Sequence, residues 1–68
     1  MSKEQVGKNL KKARKNLKLT QLQVADKVGI SSNYYSMIER GEINNPGSQV
    51  MSKIAKALRL EPSDVFPF

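Results

Sequence analysis

The stretch from Thr20 to Gly41, TQLQVADKVGISSNYYSMIERG, limits what this chain can fold into more than any other part of it. Thr20 is a good N-cap, because its hydroxyl can accept from the N–H groups that open a helix. Val24, Ala25 and Val28 then fall on one face, and the helix ends near Val28. Gly29 supplies the positive φ that a tight turn between helices needs. Ser31 or Ser32 opens the next helix, with Ser31 the better cap, and Gly41 closes it. Ile30 stands where a hydrophobic staple would reach Tyr35. Tyr35 and Ile38 point inward, whereas Ser32, Asn33, Ser36 and Met37 point away from that face. Ala25 is small enough to let the second of these helices approach the first closely. The stretch reads as two short helices locked across a sharp turn, with a small polar face turned outward.

The flanking residues read as helices too. A first helix is predicted over about Ser2 to Leu17, with Ser2 and Gln5 fitting a capping box. Its buried stripe is Val6, Leu10, Ala13 and Leu17, and its lysines fall mainly off that stripe. Glu42 to Gly47, EINNPG, is a loop by composition. A fourth helix is predicted from about Ser48 to Leu58, with Met51, Ile54, Ala55 and Leu58 on one side. A last turn of helix over Pro62 to Phe66 starts on a proline, which suits a first helical position. Leu60, Val65 and Phe66 would close the core from below. There is no strand-like alternation, internal repeat, low-complexity tract or linker. The expectation is a single all-α domain over residues 1–68, a compact bundle of five short helices. A domain of this size buries only about 60% of the surface its unfolded chain exposes, so the core must be economical.

Residue types narrow the function. The 68 residues include no Cys and no His. Disulfides and thiolate metal sites are therefore impossible, and zinc sites, catalytic triads and thiol nucleophiles are very improbable. No constellation of nucleophile, base and metal ligand exists, so an enzyme is not expected. No cofactor, metal or small-molecule ligand is expected either. No apolar run nears the ~20 residues that span a bilayer, and the N-terminus lacks a signal-peptide core. The net charge is +6. Residues 1–27 carry eight basic side chains against two acidic ones, and residues 28–68 carry four of each. The whole excess thus lies in the first two predicted helices. Such a patch attracts polyanions, nucleic acid first and an anionic membrane second, although it could also be a solvated face.

Taken together, these residues resemble the Cro/repressor-type helix-turn-helix family, also called the xenobiotic-response-element-like regulators. The resemblance runs from about Val6 to Phe66. It is carried by Val6-Gly7, Leu10, Arg14, Leu19-Thr20-Gln21, Ala25, Gly29, Ser31, Ser36, Ile38-Glu39-Arg40-Gly41, Pro46 and Ile54-Ala55-Lys56-Ala57-Leu58. It implies a lambda-repressor-like bundle with its helix-turn-helix at about 20–40 and the third helix in the major groove of double-stranded DNA. Carried over position by position, the base-reading residues would be Ser31, Ser32, Asn33, Ser36 and Met37. Asn33 can pair with adenine, serine hydroxyls can donate or accept, and Met37 can pack on a thymine methyl. Thr20 and Gln21 would meet a phosphate at a helix N-terminus, and Arg40 with Asn44 and Asn45 would meet flanking phosphates. The reading helix has no Arg or Lys before Arg40, which argues against guanine readout and for adenine, apolar contacts and DNA shape. In the family, the positions of Arg14 and Glu39 resemble a partly buried ion pair that ties the first helix to the third.

Some positions depart from the family pattern. Lys18 and Arg59 stand where a helix-ending glycine is usual. Ser48 takes a usually apolar position, and Glu61 replaces a serine cap. Tyr35 takes the place of a smaller aliphatic core residue, and Tyr34 is read as packing rather than touching DNA. The leading functional expectation is a sequence-specific DNA-binding transcriptional regulator acting on a near-palindromic operator as a homodimer. Its dimer surface would lie around the fourth and fifth helices, with Leu60, Val65 and Phe68 as exposed apolar candidates. The competing class is a protein-interaction module, such as an antitoxin or a bridging factor, built on the same fold. A membrane-surface role for the basic first helix is weaker, because its apolar stripe is needed for the core. The expected location is cytoplasmic, in a bacterial or phage-encoded protein associated with the nucleoid.

Overall fold

The computed structural model describes residues 3–43 and 46–61. Four helices follow in order: α1 (Lys3–Asn16), α2 (Gln21–Val28), α3 (Ser32–Glu39) and α4 (Ser48–Ala57). The described residues are therefore all-helical, with four helices rather than five. The expected fifth, over Pro62 to Phe66, lies outside the described residues, as do Ser2, Asn44, Asn45, Val65 and Phe68.

α2 and α3 have eight residues each, well below the ~12–15 at which an isolated helix becomes even marginal in water. They persist because each contributes to one core. Tyr35, Leu10, Ile54 and Val24 are fully buried, joined by Val6, Ala25, Val28, Ile38, Ala55 and Leu58. Burying a large aliphatic or aromatic side chain contributes roughly 1.5–3 kcal/mol, whereas helix propensities differ by less than ~1 kcal/mol per residue. Packing, not propensity, decides where these helices lie. α3 packs on both α1 and α2, and α4 packs on α2.

All four helices stop in the same way. A residue with positive φ follows the last turn, at Lys18 (58°), Gly29 (88°), Gly41 (76°) and Arg59 (60°). The next N–H then reaches back to a carbonyl five residues earlier: Leu19 to Arg14, Ile30 to Ala25, Glu42 to Met37, and Leu60 to Ala55. This satisfies carbonyls that a helix end otherwise leaves open. Glycine does this at two of the ends. At the other two, a lysine and an arginine occupy a conformation that costs a side-chain-bearing residue on the order of 1 kcal/mol. The left-handed turn at Lys18 follows the end of α1 at Asn16, one residue short of the expected Leu17.

Gly7 decides how α1 meets α3. A Cβ on Gly7 would stand 2.1 Å from the carbonyl oxygen of Glu39 and 3.0 Å from that of Ile38. The helix backbones thus touch where only a hydrogen fits. Leu60 is half-buried and packs against the core, as do Tyr34, Leu17 and Met51. Leu60 therefore closes the core, and its proposed use as an exposed dimer contact is corrected. A half-buried side chain packed against the core has little apolar surface left to offer a second subunit.

Candidate nucleic-acid interface

The outer face of α3 is set by its first turn. The Ser31 Oγ accepts from the Tyr34 N–H at 3.0 Å, so the helix begins at Ser32. A hydroxyl that accepts one bond still has its own hydrogen to donate. With Tyr35 and Ile38 buried, the helical period brings the other residues out. Asn33 is exposed, Ser31 is exposed, and Ser32, Ser36 and Met37 are half-buried at the margins. These five residues lie together along one side of α3. They carry small hydroxyls, one amide and one thioether, and no charge. Asn33 Nδ2 also donates to Met37 Sδ at 3.9 Å.

The opposite side of α3 is fastened at its C-terminal end by one buried carboxylate. Arg14 Nε donates to Glu39 Oε2 at 2.7 Å, and Nη2 donates to Oε1 at 3.2 Å. Gln21 Nε2 donates to the same Oε1 at 3.1 Å. Arg14 Nη1 also donates to the Leu19 carbonyl at 2.9 Å. One glutamate thus joins the end of α1, the start of α2 and the end of α3. Burial alone would raise the Glu39 pKa, but the hydrogen bonds from Arg14 and Gln21, with the nearby Tyr35 hydroxyl adding to them, outweigh it and hold the carboxyl below its ordinary value. The hydrogen bond to Glu39 raises Arg14 further above its already high value. Burial, then the adjacent Glu39, pushes the Tyr35 phenol well above its usual range. The Tyr35 hydroxyl lies in this cluster without a hydrogen bond of good geometry. Removing Glu39 would strand Arg14, and breaking a buried pair from one side costs about 3–5 kcal/mol.

The start of α2 is closed by a reciprocal cap. The Gln23 N–H donates to Thr20 Oγ1 at 3.1 Å, and the Thr20 N–H donates to Gln23 Oε1 at 2.8 Å. The N–H groups of Gln21 and Leu22 precede the first intrahelical bond, so the positive end of α2 stays open to an anion. The Gln21 side chain is committed to Glu39. Arg40 follows α3 and pairs at the surface with Glu42, both about half exposed. An exposed pair of this kind is worth ~0–1 kcal/mol, so a phosphate can compete for Arg40. Lys8, Lys11, Lys12 and Lys15 are all exposed on α1. Their spacing of three, one and three residues places them on one helical face, turned away from Val6 and Leu10.

Two residues of this assembly escape a reading of the sequence. Gly7 sets the distance between α1 and α3, and its signal is faint: a mid-helix glycine, which costs ~1 kcal/mol relative to alanine and so calls for a reason. Gln21 joins the Glu39 cluster, which nothing local to Gln21 reveals.

A short helix fixed by its inner face to a preceding helix across a glycine turn, with its polar side open, defines a helix-turn-helix domain. The sequence profile of the helix-turn-helix family matches residues 10–65, and the chain belongs to that family, in its Cro/C1-type branch. It is 38% identical over 60 residues to the immunity repressor protein of Bacillus phage phi105, an alignment covering 88% of this chain and 41% of the repressor. The chain thus spans about two-fifths of the length of the curated relatives it matches. Among solved structures, it resembles the restriction-modification controller protein C.AhdI from Aeromonas hydrophila, with a TM-score of 0.87 and 30% identity over 94% of this chain and 96% of that one. It also resembles SinR, the master regulator for biofilm formation, from Bacillus subtilis. The SinR structure in complex with DNA has a TM-score of 0.81 and 28% identity over 88% of this chain and 95% of that one.

Proposed function

We propose that this chain is a sequence-specific DNA-binding transcriptional regulator that reads its operator with α3 in the major groove. The observation that carries the reading is the division of α3 itself. Its inner face is fixed by Tyr35, Ile38 and the Arg14–Glu39–Gln21 cluster, and its outer face presents Ser31, Ser32, Asn33, Ser36 and Met37. A reading helix needs such fixation, because an error of an ångström in its placement loses base contacts. The likeness to a phage repressor and to a regulator solved on DNA supports the same reading.

In this reading, the outer residues of α3 meet base edges, with Asn33 on adenine. The N-terminus of α2 takes a phosphate through the Thr20 hydroxyl and the open N–H groups of Gln21 and Leu22, and Arg40, Asn44 and Asn45 take flanking phosphates. The exposed lysines of α1 add attraction that is indifferent to sequence. One helix of eight residues is a small reading surface, so two copies on a near-palindromic operator would supply the specificity, with half-sites about 34–36 Å apart or a multiple of that. The protein would act where DNA is, in the cytoplasm of a bacterial cell.

Selection of bound duplexes from random DNA tests this reading. The expected result is a palindromic motif with one fixed spacing, lost in Asn33→Ala. Affinity should fall linearly in log–log form with salt, at about −0.9 per phosphate neutralised. No enriched motif at any salt concentration, together with capture of a protein partner, would replace the regulator with a protein-interaction module.

A further inference from the structure

Asn33 and Met37 stand one turn apart on α3 and their side chains meet, Nδ2 donating to Sδ at 3.9 Å. Taken separately, one would read adenine and the other a thymine methyl. The contact makes them a unit. A thioether sulfur accepts a hydrogen bond and cannot donate one. It therefore draws the amino end of the Asn33 amide toward the C-terminus of α3 and leaves Oδ1 at the other end. We infer that Met37 is a positioning residue for Asn33, setting the amide to favour adenine over guanine. This inference rests on the proposed base-reading role of α3.

In the major groove, adenine offers a donor at N6 and an acceptor at N7, whereas guanine offers two acceptors, O6 and N7. An amide presented with Oδ1 at one end and Nδ2 at the other matches adenine. One Nδ2 hydrogen goes to Met37, and the second remains for N7. In the same pose guanine sets its O6 acceptor against Oδ1, and turning both Nδ2 hydrogens toward O6 and N7 instead gives up the sulfur contact. Asn33 is exposed, and the sulfur is its one described side-chain partner. Without it the amide would rotate freely, and ordering a free side chain on binding weakens a complex. Met37 is half-buried at the margin of α3, whereas Asn33 is exposed.

The test is selection from random DNA with the full chain, Asn33→Ala, Met37→Leu and Met37→Gln, each first checked by thermal melting. Asn33→Ala identifies the base position that Asn33 reads. Met37→Leu keeps the bulk and apolar character but lacks an acceptor. It should lower the adenine-over-guanine preference at that position on the order of three-fold, the size of one modest hydrogen bond, and leave other positions unchanged. Met37→Gln restores an acceptor at similar reach and should keep the preference. If Met37→Leu leaves the preference intact while Asn33→Ala removes it, the positioning role is wrong and the Asn33 reading stands. If Met37→Leu instead changes a different base position, or Met37→Gln loses as much as Met37→Leu, Met37 acts by its own contact and the inference fails. If Asn33→Ala alters no base preference, the base-reading premise itself fails.

Discussion

Gly7→Ala sets two effects of opposite sign against each other. In an open helix interior the change stabilises by roughly 0.5–1 kcal/mol, because alanine loses less backbone freedom on folding. At Gly7 the added Cβ would lie 2.1 Å from the Glu39 carbonyl oxygen, 2.7 Å from its carbon and 3.0 Å from the Ile38 oxygen. All are backbone atoms at the end of α3, so no rotamer change relieves the overlap. Ordinary contact begins at 3.4 Å, and α1 and α3 must part by more than an ångström here. Moving them apart also stretches the 2.7 Å contact between Arg14 and Glu39. Overpacking costs about 1–3 kcal/mol, and weakening the buried pair adds to it, so a net loss of about 2–4 kcal/mol is expected. In a domain of this size each kcal/mol moves the melting temperature by about 4–8 °C, so the fall should be roughly 8–32 °C. Thermal melts followed by far-UV circular dichroism measure it. Gly29→Ala is the control: a Cβ there meets nothing within 4 Å, and only the positive φ opposes it. Because that strain is ~1 kcal/mol, the two alanine variants should separate clearly. A Gly7→Ala protein that melts no lower than Gly29→Ala would refute the claim that backbone contact at Gly7 sets the helix spacing.

Three further outcomes are expected. Lys18→Gly and Arg59→Gly should each be neutral or stabilising by up to ~1 kcal/mol, because both positions hold positive φ; clear losses in both melts would mean that the lysine and arginine side chains contribute more than their strain costs. Tyr35→Phe should not destabilise, since the hydroxyl it removes is buried without a well-formed partner; a loss of more than ~1 kcal/mol in a denaturant titration would show that the hydroxyl is bonded to Glu39. The third outcome is an acid limb of stability. The Glu39 carboxyl is held below its ordinary pKa of about 4.5 in the folded chain. Its contribution is present above that unfolded value and is lost as pH falls through the lower folded value. In melts between pH 6 and pH 2, the parent should lose more stability than Glu39→Gln, and equal slopes would rule Glu39 out as the source.

The helix-turn-helix was legible because its signals are local. Thr20, Ser31, Gly29 and Gly41 each act within four or five residues, and the structure places caps and turns at those positions. The positive φ at Lys18 and Arg59 was legible only by comparison with a family that puts glycine there, since neither residue favours that conformation by itself. Gly7 was opaque for the opposite reason. Its partner lies at Ile38 and Glu39, more than thirty residues away, and only the packed chain reveals the contact. The sequence points Gln21 only toward a phosphate, and tertiary placement gives its side chain to the Glu39 carboxylate instead. The sequence allows Leu60 both a core place and an exposed apolar contact, and the turn after α4 directs it to the core. Apolar type alone does not tell which side of a surface a residue will lie on.

The shared way in which the four helices end bears on time as well as shape. Each helix is terminated by bonds that close within six residues, so the place where it stops is encoded locally, although the short helices need the core to persist. Helix formation and docking then proceed together, and all-helical domains dominated by near-neighbour contacts complete them in microseconds to milliseconds. A ribosome adds about 5–20 residues per second. Once α4 has emerged, the core around Tyr35 will close in less time than the next peptide bond takes to form.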